Sequence, residues 1–99
     1  MLTRQLSLDG QTVFISPSGR FDHYAVSEFN KAYMSYPKGD KYYVIDLENV
    51  DMIDSSAIGA LLQLLEYSNI EKQVKLIKAN DLVRQSLLIA SLDKLFIVS

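Results

Sequence analysis

The stretch that decides the fold is VIDLENVDMIDSSAIGALL, residues 44–62. Its first residues are mostly apolar and β-branched, which predicts a buried strand. An acidic loop follows, and a helix then begins with Asp54, Ser55 and Ser56 in or next to its first turn. A hydroxyl at that place lies beside backbone N–H groups that have no partner within the helix, so the site tolerates an anion. A phosphate on Ser56 would add charge at an exposed ridge, which favours a switch over a catalyst.

On either side of this stretch, strand and helix patterns alternate. The predicted elements are, in order, a strand from Leu2, a strand at 12–16, a helix at 24–34, a strand at 42–47, a helix at 55–68, a strand at 74–79, a helix after Asn80 and a strand at 95–98. Asp9-Gly10 predicts a hairpin between the first two strands, and Lys72-Gln73 leads into the strand at 74. Asp22 or His23 would begin the first helix. The order β-β-α-β-α-β-α-β predicts an α/β fold with a mixed, mainly parallel sheet and helices packed on it.

The strand at 42–47 is almost entirely apolar, β-branched or aromatic. Such a run predicts a central parallel strand that is covered on both faces.

Composition excludes several classes of function. The chain has 99 residues, of which 48% are hydrophobic, a formal net charge of −2 and no cysteine. These values predict a single domain over residues 1–99, no disulfide framework and no basic patch for nucleic acid or anionic membranes. The N-terminus lacks the apolar stretch of a signal peptide, and no apolar run approaches the ~18 residues of a membrane span. We therefore expect a cytoplasmic protein without metal or cofactor.

An ideal helix over residues 55–68 places Ile58, Leu61, Leu62 and Leu65 on its core-facing stripe. Ser56 then points away from the core, and Ser55 lies nearer the edge of the stripe. The residues around Ser56, which would form the partner surface, are Ala57, Gly59, Ala60 and Gln63. Gly59 costs about 1 kcal/mol relative to alanine. Either the close approach of a partner's backbone or tight packing within the domain would account for it.

Asp54-Ser55-Ser56 has two interpretations that can hold together. Aspartate and serine are preferred N-cap residues, worth ~1 kcal/mol, so the segment can be an ordinary helix start. The other interpretation is a modified hydroxyl.

Two motifs resemble the STAS family, which includes the anti-sigma factor antagonists (anti-anti-sigma factors). The first is Ile45-Asp46-Leu47 followed by Val50 and by IDSSAIG at 53–59. The second is Gly19-Arg20-Phe21-Asp22, which is similar to the family's Gly-x-hydrophobic-Asp motif before its first helix. The resemblance runs from the first strand to the last and implies a STAS-like fold.

The resemblance also implies a role for each residue of the motif. The second serine of Asp-Ser-Ser is the phosphoacceptor in antagonists, and that position here is Ser56. Asp22 and Asp54 would flank the hydroxyl and either orient it or contact the partner, and Ser55 would cap the helix. By their charge, the two acids would oppose an added phosphate. The implied partners are a serine kinase of the ATP-binding anti-sigma type and a phosphatase, and the unmodified form would bind the effector. The output would be transcription through a sigma factor or a biofilm programme, and we expect a monomer or weak dimer that is not an enzyme.

The sequence also bears on four other functions. A serine hydrolase needs a base and an oxyanion hole, but His23, the only histidine, is interpreted as a surface turn residue. The acids at 46, 48, 51 and 54 could indicate Mg²⁺ and are interpreted mostly as loop solvation. A small-molecule, lipid or nucleotide-sensing module would be stabilised by its ligand. A non-switching scaffold would not distinguish Ser56→Ala from Ser56→Asp.

Overall fold

The computed structural model describes residues 1–68 and 74–99. The strands are β1 (Leu2–Leu6), β2 (Thr12–Pro17), β3 (Gly19–Phe21), β4 (Tyr42–Asp46), β5 (Val50–Ile53), β6 (Val74–Ile77) and β7 (Ile97–Val98). The helices are α1 (Val26–Met34), α2 (Ser55–Tyr67) and α3 (Asp81–Ile89), with a 3-10 turn at Leu92–Lys94. None of these described helices has the length and apolar content to cross a bilayer. The predicted connection through Lys72-Gln73 lies outside the described residues.

Five strands form the main sheet in the order β1-β2-β4-β6-β7. Strand β1 runs antiparallel to β2, and the other neighbours are parallel. The hairpin at Asp9-Gly10 is confirmed: Gly10 has φ 72°, where glycine meets no steric penalty, and Asp9 Oδ1 accepts from Gln11 N–H at 3.0 Å. The predicted fold class, a mixed α/β fold with a mainly parallel sheet and three helices, is confirmed.

Strand β4 lies at the centre of the sheet, as its sequence predicted, but it is not covered on both faces. Tyr43 and Ile45 are 1% and 0% exposed, whereas Tyr42 is 44% exposed and Val44 is half-buried. Because side chains alternate along a strand, the two pairs lie on opposite faces. The prediction of double burial is wrong, since this sheet has one covered face and one open face.

Strands β3 and β5, which the sequence did not predict, pair in parallel as a second small sheet. Phe21 lies opposite Ile53, and Asp54 N–H donates to the Phe21 carbonyl at 3.4 Å. Asp22 and Asp54 directly follow these paired residues. The small sheet therefore brings the segment before α1 and the start of α2 to the same end of the molecule.

Helix α2 is rotated relative to its predicted orientation. The residues that it buries are Ala57, Ala60, Leu61 and Leu64. The predicted stripe of Ile58, Leu61, Leu62 and Leu65 is therefore wrong apart from Leu61. Leu62 is 38% exposed, and the other two are half-buried. The two buried alanines are small, so the helix backbone can lie close to the elements beneath it.

A cluster of tyrosines fixes α1 against the sheet and against α2. The Tyr33 ring lies edge-on to Tyr43 and to Tyr67, with centroids 6.4 and 5.1 Å away. The Tyr43 hydroxyl donates to the Tyr33 carbonyl at 3.1 Å, and the Tyr67 hydroxyl donates to the Tyr36 carbonyl. Burial raises the pKa of Tyr43 to about 12, and the neighbouring tyrosines add to this effect. These contacts hold α1 and α2 side by side.

Candidate functional site between α1 and α2

The start of α2 is fixed by Asp54. Its backbone is extended, with φ −120° and ψ −176°, and its Oδ1 accepts a hydrogen bond from Ala57 N–H at 3.0 Å. Its carbonyl accepts from Ile58 N–H at 3.1 Å. Asp54 is therefore the N-cap residue, and the prediction that Ser55 caps the helix is wrong.

Ser55 and Ser56 are the first two residues of α2 and differ in their surroundings. Ser55 is exposed, whereas Ser56 is half-buried and lines a groove. The prediction that Ser56 lies farther from the core than Ser55 is wrong. It assumed that Ile58, Leu62 and Leu65 face the core, whereas the helix turns other residues toward it. Ser56 is nevertheless not sealed inside the protein, since its side chain reaches open space.

The groove beside Ser56 has a volume of about 590 Å³ and lies between α2 and the α1 segment. Its lining residues are His23, Val26, Ser27, Asn30, Lys31, Met34 and Ser56. Lys31 supplies an ammonium group and His23 an imidazole, and none of the described lining residues carries a carboxylate. The ammonium of Lys31 forms no ion pair with any of the described residues.

Asp22 lies near this groove without lining it. Its Oδ1 accepts from Tyr24 N–H at 3.0 Å, and its Oδ2 lies 3.5 Å from Arg20 Nε. These contacts belong to a turn at residues 22–25, so α1 begins at Val26 and not at Asp22 or His23 as predicted. Of the two acids expected to flank Ser56, Asp22 is held in this turn, and Asp54 is held in the cap of the helix turn that carries Ser56.

The four α2 residues predicted to surround Ser56 divide into two pairs. Gly59 and Gln63 are exposed, whereas Ala57 and Ala60 are 0% and 2% exposed. The prediction that the two alanines belong to a partner surface is therefore wrong. Gln63 lines a second groove, which it shares with Met34 of α1. The exposed surface thus continues along a seam between α1 and α2. We define this seam by the α2 residues Ser56, Gly59 and Gln63 and by the α1 residues that line the two grooves, namely Val26, Ser27, Asn30, Lys31, Tyr33 and Met34.

Gly59 has no steric reason for being glycine within the described structure. A Cβ built there would meet no atom within 4 Å. Of the two explanations offered by the sequence, tight packing within the domain is therefore wrong. The helix carries the cost of this glycine, about 1 kcal/mol, without any gain in internal packing.

The acidic loop before α2 holds its carboxylates apart. Asp46 Oδ1 accepts from Glu48 N–H at 3.0 Å, and Glu48 Oε2 lies 3.9 Å from Lys78 Nζ. Within residues 1–68 and 74–99, no three or more histidine, aspartate or glutamate side chains are grouped so as to hold a metal ion.

Comparison with known proteins identifies the family. The family model described as "Mlab, STAS domain" matches residues 5–99. This chain belongs to the STAS domain family. A STAS-domain containing protein of Pseudomonas aeruginosa (strain UCBPP-PA14) is 37% identical to it over 99 residues, which cover 99% of this chain and 98% of that protein.

Solved structures of anti-sigma factor antagonists share the fold of this STAS domain. An antagonist from Mycobacterium paratuberculosis matches with TM-score 0.82 and 20% identity over 99% of this chain and 85% of that one. Unphosphorylated SpoIIAA matches with TM-score 0.70 and 22% identity over 98% of this chain and 88% of that one. Phosphorylated SpoIIAA, a Bacillus cell fate determinant, matches with TM-score 0.66 and 21% identity over 98% of this chain and 91% of that one. At these identities the likeness establishes the fold.

The α1 side of the groove is the part of this STAS domain's site that the sequence analysis missed. Val26, Asn30 and Met34 recur at intervals of four residues, which places them on one face of α1. This face adjoins the buried one, and its spacing is visible in the sequence. Which element would face it could not be seen, because that depends on the pairing of β3 with β5.

Proposed function

We propose that this STAS domain is a phosphorylation-switched protein-interaction regulator of the anti-sigma factor antagonist type. Ser56 is its phosphoacceptor, and the seam between α1 and α2 is its docking surface. The observation that carries the proposal is the place of Ser56, at the start of α2 and on the wall of an open groove. The unmodified form binds its effector, and phosphorylation by a partner serine kinase releases it until a phosphatase restores it.

The position of Ser56 allows a phosphate to form without unfolding the domain. A phosphate adds about −1.5 to −2 charge at pH 7, and the free N–H groups of a helix start partly compensate it. Its bulk and charge fall inside the groove that a partner would enter. A loss of about 3 kcal/mol in binding free energy would weaken the complex roughly a hundredfold.

Gly59 supports docking at this seam. It is exposed three residues after Ser56, and nothing within the described structure requires its missing side chain. A helix that keeps an exposed glycine at a cost in stability leaves its backbone open to close approach. A partner backbone lying against this turn accounts for the residue.

We also propose that the chain regulates and does not catalyse. His23 lines the same groove as Ser56, but no hydrogen bond joins the two side chains in the described structure. Asp22 contacts Tyr24 and Arg20, so it does not orient the imidazole. A serine nucleophile needs a base within hydrogen-bond reach and a third group that orients that base.

The first test locates the phosphate. The protein is incubated with ATP and candidate histidine-kinase-like regulators, and modified residues are mapped by mass spectrometry. We expect phosphate on Ser56 and none in Ser56→Ala, while the matched variant Ser55→Ala is modified as well as the wild type. Phosphate on Ser55 or on another residue would contradict the assignment.

The second test measures how charge at position 56 changes the affinity of this protein for the regulator that modifies Ser56. We expect Ser56→Ala to bind like the unmodified protein and the phosphorylated protein to bind roughly a hundredfold more weakly. Ser56→Asp should lie between them, with circular dichroism confirming that each form is folded. If Ser56→Asp binds as tightly as Ser56→Ala, charge at this position is not the control.

A further inference from the structure

The groove that Ser56 lines presents basic side chains that the sequence analysis did not place there. The two nearby acids are engaged, Asp54 with Ala57 N–H and Asp22 with Arg20 and Tyr24 N–H. The groove itself presents Lys31 and His23. A phosphate on Ser56 would therefore share its groove with the Lys31 ammonium and the His23 imidazole, and with no carboxylate among the described lining residues.

We propose that Lys31 and His23 form a clamp that holds the Ser56 phosphate inside the α1–α2 groove. The ligand of the clamp is a phosphate monoester carried by the same chain. In this way the phosphorylated protein fills its own docking surface. The inference rests on the proposed function only in taking Ser56 as the residue that is modified.

Lys31 is free to take this role. Its ammonium would break no ion pair with a described residue in order to reach the phosphate. Hydrogen bonds between a cation and a phosphate are shorter and stronger than those between neutral groups. Because Lys31 and His23 are both exposed, added salt should weaken this attraction.

The clamp changes how phosphorylation would act on a partner. A phosphate held by Lys31 and His23 repels a partner's anionic groups less than a phosphate without these neighbours would. Release of the partner then comes chiefly from occupation of the groove and from the loss of two side chains that the partner could have contacted. The clamp is thus an internal competitor for the docking surface.

The experiment installs phosphoserine at position 56 during translation, so no kinase is needed. The second ionisation of the phosphate is followed by phosphorus NMR as the pH is varied. An unperturbed phosphate loses its second proton near pH 6, and adjacent cations favour the dianion. We expect the midpoint to lie about 0.5 pH units lower at position 56 than in a matched protein with phosphoserine at position 55, whose side chain is exposed.

Variants show which groups lower the midpoint. The charged or titratable groups to consider are Lys31 and His23, which line the groove, Asp22 in the turn before α1, and Asp54 in the cap of α2. Lys31→Gln should abolish most of the difference in midpoint between positions 56 and 55, and His23→Gln should abolish a smaller part of it. Lys38→Gln is the control, because Lys38 lines the second groove with Gln63 and not the one with Ser56.

A second readout is the NMR signals of the His23 ring, which can be assigned without ambiguity because the sequence contains one histidine. Phosphoserine at position 56 should move these signals, and phosphoserine at position 55 should not. Equal midpoints at the two positions, or equal effects of Lys31→Gln and Lys38→Gln, would overturn the clamp. Such a result would leave Ser56 as the acceptor, whereas failure of every kinase to modify Ser56 would overturn the proposed function and leave the clamp measurement intact.

Discussion

Helices α2 and α3 begin with the same capping geometry and differ in what they expose. Asp54 Oδ1 accepts from Ala57 N–H at 3.0 Å, and Asn80 Oδ1 accepts from Val83 N–H at 2.8 Å. Each cap residue has an extended backbone, and each accepting bond spans three residues. The two helix starts can therefore be aligned position by position from their caps.

The aligned helices share two buried positions. Ala57 and Leu61 of α2 correspond to Val83 and Leu87 of α3, and all four are 0% exposed. The intervening positions differ: α2 has Ser55, Ser56 and Gly59 where α3 has Asp81, Leu82 and Gln85. Packing against the core therefore explains what the helices share. It does not explain the two hydroxyls and the glycine of α2, of which Ser56 and Gly59 belong to the proposed docking surface.

The start of α2 is joined to β3 by the backbone of Asp54, whose N–H donates to the Phe21 carbonyl, whereas the start of α3 is joined to its strand by the cap side chain itself. Asn80 Nδ2 donates to the Val50 carbonyl at 3.1 Å, which joins the helix start to β5. The start of α3 thus serves the fold, while the start of α2 faces a groove. This difference can be tested by substitutions at matched positions.

The largest expected effect on stability comes from substitutions of the two cap residues. Asn80→Ala should lower the free energy of unfolding by about 2 kcal/mol, and Asp54→Ala by about 1 kcal/mol. The first removes a cap and the tie to β5, whereas the second removes a cap alone. Urea denaturation followed by circular dichroism measures both.

Asn80→Asp separates the two contributions of Asn80. It keeps an oxygen for the cap and loses the donor to Val50, so its loss should be smaller than that of Asn80→Ala. Equal losses for Asp54→Ala and Asn80→Ala would show that the contact with β5 adds nothing to stability.

The two caps also show how far the sequence determines this fold. The hairpin, the three helices and the central place of β4 follow from local signals, namely turn residues, cap residues and apolar periodicity. Strands β3 and β5 have three and four residues, and their pairing connects segments about 30 residues apart. No local pattern marks such a pairing.

The prediction of how α2 is oriented was wrong for a different reason. The helix is apolar around most of its circumference, so the periodicity does not select one face. The larger leucines favoured the stripe through Leu62 and Leu65, while the structure buries Ala57 and Ala60. The place of Ser56 at the start of the helix was predictable, but the groove with Lys31 depended on contacts between distant segments.

A smaller effect on stability, of opposite sign, is expected at Gly59. Gly59→Ala should raise the free energy of unfolding by about 0.5–1 kcal/mol, because alanine is the better helix former and its Cβ meets no atom within 4 Å. The same methyl group lies on the proposed docking surface and should weaken partner binding tenfold or more. Denaturation and binding are measured on the same variant.

Gln85→Ala is the matched control for Gly59→Ala, because Gln85 holds the corresponding position on α3. It should change stability by only a few tenths of a kcal/mol and leave partner binding unaltered. A stabilised Gly59→Ala variant that binds its partner normally would show that no partner backbone approaches this turn.

The smallest effect concerns the first helical position, where α2 has Ser55 and α3 has Asp81. A carboxylate in the first turn is stabilising, so Asp81→Ser should cost about 0.5 kcal/mol and Ser55→Asp should gain about 0.3 kcal/mol at low salt. The gain is smaller because the capping Asp54 is itself charged, whereas the cap of α3 is the neutral Asn80. Thermal unfolding at low and high salt measures both changes, which salt should reduce. Because Ser55 lies outside the groove, Ser55→Asp should leave partner binding unaltered, and a loss equal to that of Ser56→Asp would show that charge anywhere at this helix start, and not occupation of the groove, releases the partner.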